Sequence, residues 1–318
     1  MKNSKQPSGV HQKLQTIIDR NIRCRVDGKV SGHATRNKVA ATQHLCIREL
    51  KALGYRLVGP ESLKGKHVKA LGEHYESLAQ EGKMSASTIQ SRFTALRSLS
   101  RWAGKTGMVE RTENYVSPEF CRRTTVCTQD KSGQAQGIDV ETKLEEICAK
   151  DSRVGLQLKL ELEFGLRSKE AMMLRPHLAD KGGYLDVSVG TKGGRPRAVP
   201  INTPGQRALL EAAKAMAANK TASTSDPSKS LKQWKNHYYY VLKICKVGKE
   251  FGLTAHGFRH AYANSRYKDL SGQDSPVRGG KVHDRETDRA ARLQLAEELG
   301  HSRESVTTYY LGRDNGNA

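Results

Sequence analysis

Four short stretches in the second half of the chain concentrate residues able to handle a phosphodiester. They are "FGLRSKEAMMLRP" with Arg167, "GTKGGRPR" with Lys192, "HGFRHAYAN" with His256 and Arg259, and "ELGHSRESVTTYYLG" with His301 and the adjacent pair Tyr309 and Tyr310. Two arginines can fork onto the non-bridging oxygens of a phosphate and neutralise the charge that grows during in-line phosphoryl transfer. A lysine or histidine can give a proton to a departing alkoxide, and a tyrosine can be the covalent nucleophile. A phenol titrates near 10, so it needs cationic neighbours or a base to react at neutral pH. No acidic cluster accompanies the set, so neither a two-metal mechanism nor any bound metal or cofactor is expected.

Each of these residues also has an ordinary structural reading. Arg167 could lie on a helix surface beside Glu163 or Glu170, and Lys192 could be a solvated turn lysine. His256 could sit at a helix start, His301 could cap a helix C-terminus after Leu299-Gly300, and either tyrosine could be a core aromatic. Adjacent helical residues point about 100° apart, so one tyrosine at most faces a given phosphate. Periodicity does not choose between them, because Val306 lies three residues before Tyr309 and four before Tyr310.

Charge supplies the context. In 318 residues, Lys plus Arg number 54 against 33 Asp plus Glu, a formal net charge of +21. An excess of that size self-repels unless a polyanion balances it, which points to nucleic acid or an anionic membrane surface. No stretch approaches the roughly 20 apolar residues of a membrane span, and the cysteines show no zinc-like spacing. The expectation is a reduced, cytoplasmic, nucleoid-associated protein without a membrane partner.

The elements that must position these residues follow from periodicity. Residues 1–30 are polar and basic and read as a flexible arm. Apolar residues at helical spacing (Cys46 and Leu50; Val68, Leu71, Tyr75 and Leu78; Ile89, Phe93 and Leu96, after the cap Ser85) give a helical domain over 31–115. Its third helix carries Arg92, Arg97 and Arg101, candidates for phosphate contact. Residues 116–138 read as a linker and 139–318 as a second domain opening on the cap Asp139. "GYLDVSV" and "AVPI" around "TKGGRPR" make a β-hairpin over 183–201, with Lys192, Arg195 and Arg197 at its tip and the two arginines as further DNA-contact candidates. No nucleotide-binding motif is present.

The joint order Arg, Lys, His-x-x-Arg, Leu-Gly-His, Tyr resembles that of the tyrosine recombinases, the family of phage and mobile-element integrases and Xer-type resolvases. "GLRSKE", "HGFRHAYA" (Phe258 where the family usually has Leu) and "LGHSRESVTTYY" carry the resemblance over about 140–312. It implies a mainly α fold with a small β-hairpin, in which a helical SAM-like core-binding domain precedes the catalytic domain. It further implies that Arg167 and Arg259 clamp the scissile phosphate, Lys192 protonates the leaving 5′ oxygen, His256 acts as acid and base toward the tyrosine, and His301 bonds a phosphate oxygen. Glu170 would support the arginine box, and His260 would be structural. The family's spacing of nine residues after the Leu-Gly-His histidine selects Tyr310.

The function so implied is a site-specific DNA recombinase, most simply the integrase of a mobile element, working through a 3′-phosphotyrosyl intermediate. Its partners would be double-stranded DNA carrying recombination sites, further copies of the chain (a tetramer in the family), and a directionality or DNA-bending factor. A catalytically inactive DNA-binding protein, a type IB topoisomerase-like strand cleaver and an RNA-binding protein are the competing readings. Two departures from the family stand out. The polar, glycine-rich stretch 269–288 lengthens the segment between Arg259 and His301 and reads as a surface loop. Only eight residues follow Tyr310.

Overall fold

A computed structural model describes residues 9–24 and 30–314. It divides the chain into two compact units, Met1–Thr124 and Thr125–Ala318. The first is helical: α1 (Gly9–Asn21), α2 (His33–Ala52), α3 (Gly65–Gln80), α4 (Ala86–Trp102) and the single turn α5 (Pro118–Cys121). Ser85 caps α4 by accepting from the Thr88 amide at 3.3 Å. The apolar stripes of α2, α3 and α4 meet in one core containing Leu50, Leu71, Tyr75, Phe93 and Leu96. Gly72 on α3 lets the chain at Tyr115 pass close by, since a Cβ there would lie 2.7 Å from the Tyr115 carbonyl oxygen.

Three expectations change here. The stretch read as a flexible arm contains α1, whose Leu14 and Ile18 are buried in the same core; residues 1–8 and 25–29 lie outside the described residues. The arm's basic composition hid a helix that buries only a narrow apolar stripe. Arg92, read as a phosphate contact, pairs instead with Glu49 and lies 4.9 Å over the Tyr75 ring, while Tyr75 Oη donates to the same carboxylate at 2.8 Å. Arg97 is likewise occupied, donating to the Glu110 carbonyl at 3.0 Å and to Thr112 Oγ1 at 2.9 Å. Arg101 alone of the three is exposed.

The second unit is built around α7 (Ser152–Phe164), which follows α6 (Val140–Lys150). Asp139 and Asp151 cap the two helices through their side chains. One side of α7 (Leu156, Leu160, Phe164) packs in a core with Leu185, Val199, Tyr262, Leu295 and Leu299. The other side (Val154, Leu158) packs with Ile147, Trp234, Tyr238 and Phe258. The short helices α8 (Ser168–Met173) and α9 (Pro176–Ala179) lead into the antiparallel pair β1 (Tyr184–Val187) and β2 (Arg197–Pro200), with Tyr184 opposite Pro200 and Val187 opposite Arg197. It is the only sheet among the described residues. Then come α10 (Pro204–Met216), α11 (Leu231–Ile244), α12 (Ala255–Ser271), α13 (Arg285–Glu298) and α14 (Thr308–Leu311). No helix among the described residues is long and apolar enough to cross a membrane.

The supposed linker 116–138 is divided between the units. Cys121 is buried in the first core, whereas Asp130 and Ser132 are buried in the second unit, where Arg278 donates to Asp130 at 2.8 Å. Stretch 269–288 also departs from a plain surface loop. Its first residues finish α12, Ser275 is fully buried and bonds Asn264, and Arg278 makes the tie just described. Polar composition suggested exposure, but Ser275 is buried and Arg278 is half-buried, each with a partner.

If α1 belongs to the first core, Leu14→Ala should cost that unit about 2–4 kcal/mol. Urea unfolding followed through Trp102 fluorescence in a Trp234→Phe background measures this; a cost near zero would show that α1 is not docked in solution.

Candidate active site

The site forms where the ends of α7, α12 and α13 meet, and backbone carbonyls provide its frame. After Phe164 the chain turns through Gly165 at φ +58, where a Cβ would fall 2.4 Å from the Tyr262 ring. That turn presents the Gly165 carbonyl inward. At the end of α13, Gly300 (φ +68) closes the helix, with the His301 amide donating to the Ala296 carbonyl at 2.8 Å; the Leu299 carbonyl remains to face the site. Arg259, fully buried on α12, donates to both Gly165 and Leu299, the latter at 2.6 Å. Arg167, at the start of α8, also reaches the Leu299 carbonyl, at 3.3 Å.

Glu170 ties the frame together. Its buried carboxylate accepts from the Arg167 amide at 2.8 Å, from the Arg167 guanidinium at 2.7 Å, and from the two terminal nitrogens of Arg197 at 3.0 and 2.7 Å. Burial pushes this carboxyl up, but the bonds and charge of Arg197, then the Arg167 amide and charge, prevail and hold it at about 2. Arg197 further donates Nε to the Glu298 carbonyl at 2.7 Å. Arg197, read as a DNA contact at the hairpin tip, is therefore a buried strut between β2, α8 and α13. Its place in β2 opposite Val187 turns it toward the core. Arg195 remains exposed at the tip with Lys192, where Gly193 and Gly194 take positive φ.

Tyr310 enters this frame from α14. It is 4% exposed, against 48% for Tyr309. Arg259 Nε donates to Tyr310 Oη at 3.1 Å. Three histidines surround the phenol, with ring centres at 4.8 Å (His260), 5.8 Å (His256) and 6.0 Å (His301). The segment is pinned from several sides. Cys127 N donates to the Thr308 carbonyl at 2.9 Å, Asn264 Nδ2 to the Tyr310 carbonyl at 3.4 Å, and Arg292 to the Gly312 carbonyl at 3.3 Å.

The histidines are kept neutral by their surroundings. Burial, then the charges of Arg259, Arg167, Arg197 and Lys192, bring His301 down to about 4. Burial and His256, followed by Lys131, bring His260 to about 3. His256 keeps a face open to solvent, and desolvation of the rest, then Arg259, Arg167 and Lys131, holds it below its ordinary 6.5. His301 Nε2 and His260 Nδ1 are buried without a hydrogen-bond partner among the described residues. Beside the cluster opens a cavity of about 880 Å³, lined by Arg167, Lys131, Lys169, Lys249 and His256 among others. No group of His, Cys, Asp or Glu among the described residues is arranged to hold a metal ion.

Arg167, His256, Arg259, His301 and Tyr310 are thus brought together, with Glu170 beneath them. Lys192 stands on the exposed turn, close enough for its charge to act on His301. Family models match both units: the phage integrase N-terminal model over residues 19–109 and the integrase model over residues 124–265. The chain belongs to the tyrosine recombinase family.

The integrase match includes Arg167, Lys192, His256 and Arg259 and ends before His301 and Tyr310, which the geometry of the site places beside them. The recombinase fold extends over nearly the whole chain. The Tn1549 transposon integrase, in complex with transposon right end DNA, matches with a TM-score of 0.59 at 15% identity, covering 96% of each chain. The site-specific recombinase XerH, bound to palindromic difH substrate in a post-cleavage complex, matches with a TM-score of 0.56 at 16% identity, covering 98% of this chain and 95% of that one. No curated protein matches.

The sequence reading took His260 as structural, read Arg197 as a surface contact and passed over Glu161. His260 lies one helical turn after His256, and that i, i+4 spacing was the available signal.

Removing one partner of a buried ion pair strands the other, so Glu170→Gln should cost about 3 kcal/mol or more at neutral pH. The folded value near 2 lies below the ordinary 4.5, so this contribution is complete above pH 4.5 and is lost as pH falls toward 2. Urea titrations of wild type and variant should therefore converge over that interval. A gap that is constant with pH would show that the carboxylate's charge is not what holds the frame.

Proposed function

We propose that this chain is a site-specific DNA recombinase that cuts and rejoins strands through Tyr310. The observation that carries the reading is the buried Tyr310 hydroxyl, 3.1 Å from Arg259 Nε and enclosed by three neutral histidines. Three of the five N–H bonds of Arg259 are committed to Tyr310, Gly165 and Leu299, which leaves two for a phosphate. Arg167 supplies a second guanidinium, and His301, in its Nε2–H tautomer, supplies a donor that has no partner among the described residues.

In this mechanism His256 takes the phenolic proton as Tyr310 Oη attacks phosphorus. The bond to the 5′ oxygen breaks, and Lys192 delivers a proton to that oxygen from the hairpin. The product is a 3′-phosphotyrosyl ester and a free 5′ hydroxyl. Attack by a 5′ hydroxyl of a second strand reverses the steps and releases Tyr310. The ester conserves the energy of the broken bond, so exchange consumes no nucleotide, and the guanidinium groups meet the developing charge without a metal. Arg101 and Arg195, both exposed, are the remaining candidates for backbone contacts. The biological setting we favour is integration or excision of a mobile element in the cytoplasm, on the nucleoid. Four copies would assemble on paired sites, helped by a directionality or DNA-bending factor.

A nicked suicide duplex carrying the recombination site tests the chemistry on a denaturing gel. Tyr309→Phe should form the covalent adduct and Tyr310→Phe should not, with EDTA without effect; the reverse pattern for the tyrosines would reject the assignment. Lys192→Ala should slow cleavage by about 10²–10⁴-fold. A 5′-bridging sulfur, a leaving group that needs no proton, should restore most of that rate, and failure to do so would remove Lys192 from the acid role.

A further inference from the structure

Glu161 is a buried acid that the steps above do not use. It lies on α7, is 1% exposed and borders the 880 Å³ cavity that also contains Arg167 and His256. Its partners are hydroxyls: Tyr238 Oη donates to Oε1 at 2.6 Å, and Ser168 Oγ to Oε2 at 3.1 Å. The contrast with Glu170 is chemical. Both carboxyls are buried in the same region, but Glu170 receives guanidinium and amide donors and Glu161 only neutral ones. A buried carboxylate without a cationic hydrogen-bond partner is poised to take a proton.

The groups facing it come from three elements. Ser168 and Glu170 are on α8, Tyr238 is on α11 and Arg259 is on α12. Ser168 directly follows Arg167, so Glu161 anchors the segment carrying one candidate clamp residue and faces the charge of the other. A hydroxyl can either donate to a carboxylate or accept from a carboxylic acid. Both protonation states can therefore keep the Glu161–Ser168 link and leave Arg167 in place.

We propose that Glu161 is a positioning residue whose negative charge is exchanged for that of the bound phosphodiester: at alkaline pH its carboxylate offsets Arg259 in the free protein, and there it takes one proton from solvent when a DNA phosphate enters the cavity. The inference rests on the cavity being a phosphodiester site. Burial raises the Glu161 carboxyl to about 8 in the free protein, against the opposing bonds of Tyr238 and Ser168 and the charge of Arg259; Glu170 adds to the rise. A phosphate beside Arg259 supplies a second negative charge and drives the carboxyl further up. The burial-lowered His260 and His301 stay neutral in this range, and the Tyr238 hydroxyl, raised well above 10, stays protonated. Arg259, lowered to about 10 by burial, stays largely charged up to pH 9, so around pH 8–9 the exchange at Glu161 lies above the histidines and below Arg259.

Calorimetry with a short duplex containing the recombination site, at pH 8.5 in two buffers of different ionisation enthalpy, counts the protons taken up on binding. The full-length Tyr310→Phe protein is used so that no covalent step intervenes. This parent should take up most of one proton, and its affinity should fall by up to about tenfold per pH unit above pH 8. Adding Glu161→Gln, an uncharged mimic of the acid, should abolish that uptake and flatten the affinity profile, so that the variant binds more tightly than its parent at pH 9. Adding Tyr238→Phe instead removes one bond to the carboxylate and should move the same uptake to higher pH; this variant decides the matter if Glu161→Gln does not fold. Equal uptake in the Tyr310→Phe parent and the Glu161→Gln variant, or no uptake by the parent, overturns the proposal. Those results leave the adduct assay untouched, whereas loss of the adduct with proton uptake intact would reject the recombinase chemistry alone.

Discussion

One buried carboxylate, Glu170, fixes the relation between three parts of the second unit that are distant in sequence. Through Arg167 it orients the start of α8, and through Arg197 it holds the hairpin strand β2 and, by way of the Glu298 carbonyl, the end of α13. The Leu299 carbonyl next to that end then receives both Arg167 and Arg259. Moving any of these pieces would leave a buried guanidinium or carbonyl without a partner, at a cost of a few kcal/mol each. The active-site frame is therefore set by polar satisfaction more than by apolar packing, and the hydrophobic clusters on either side of α7 serve to exclude water from it.

The same arrangement concentrates positive charge where it is least solvated. Arg259 is buried among carbonyls, and burial together with the neighbouring arginines lowers its own affinity for a proton to about 10. The histidines respond by remaining neutral. A site of this kind is incomplete electrostatically: Glu170 is shared between Arg167 and Arg197, while Arg259 bonds two carbonyls and the Tyr310 hydroxyl. An anion that enters gains from all of them at once. Preorganisation of this kind requires that the donors already point inward, which the tight turns at Gly165 and Gly300 accomplish.

Much of this was legible in the sequence, for identifiable reasons. Helix caps at Ser85 and Asp139 and the hairpin around "TKGGRPR" follow from local backbone chemistry, and the structure places them as expected. The chemistry-bearing residues were legible because their order carried the resemblance. What escaped were facts that depend on tertiary partners. Arg92 and Arg197 look like any arginine on a basic surface until Glu49 and Glu170 stand opposite them. Helix α1 was hidden by basic composition, and the polar residues of 269–288 gave no sign that Ser275 and Arg278 would be bound. The choice between Tyr309 and Tyr310 could not be read from helical periodicity, because α14 is a single turn whose orientation is imposed by Cys127, Asn264 and Arg292.

The hairpin carries Lys192 in a way that has a mechanical consequence. Its base is bolted at Arg197, and Lys192 lies five residues away across Gly193 and Gly194. An extended chain spans at most about 3.3–3.6 Å per residue, so the lysine is confined to a radius of roughly 17 Å about that anchor. In the proposed mechanism it would be a proton donor on a short leash, held at high local concentration near the 5′ oxygen by the anchored hairpin. Lengthening the leash by a few residues would dilute the acid without touching any bond in the frame.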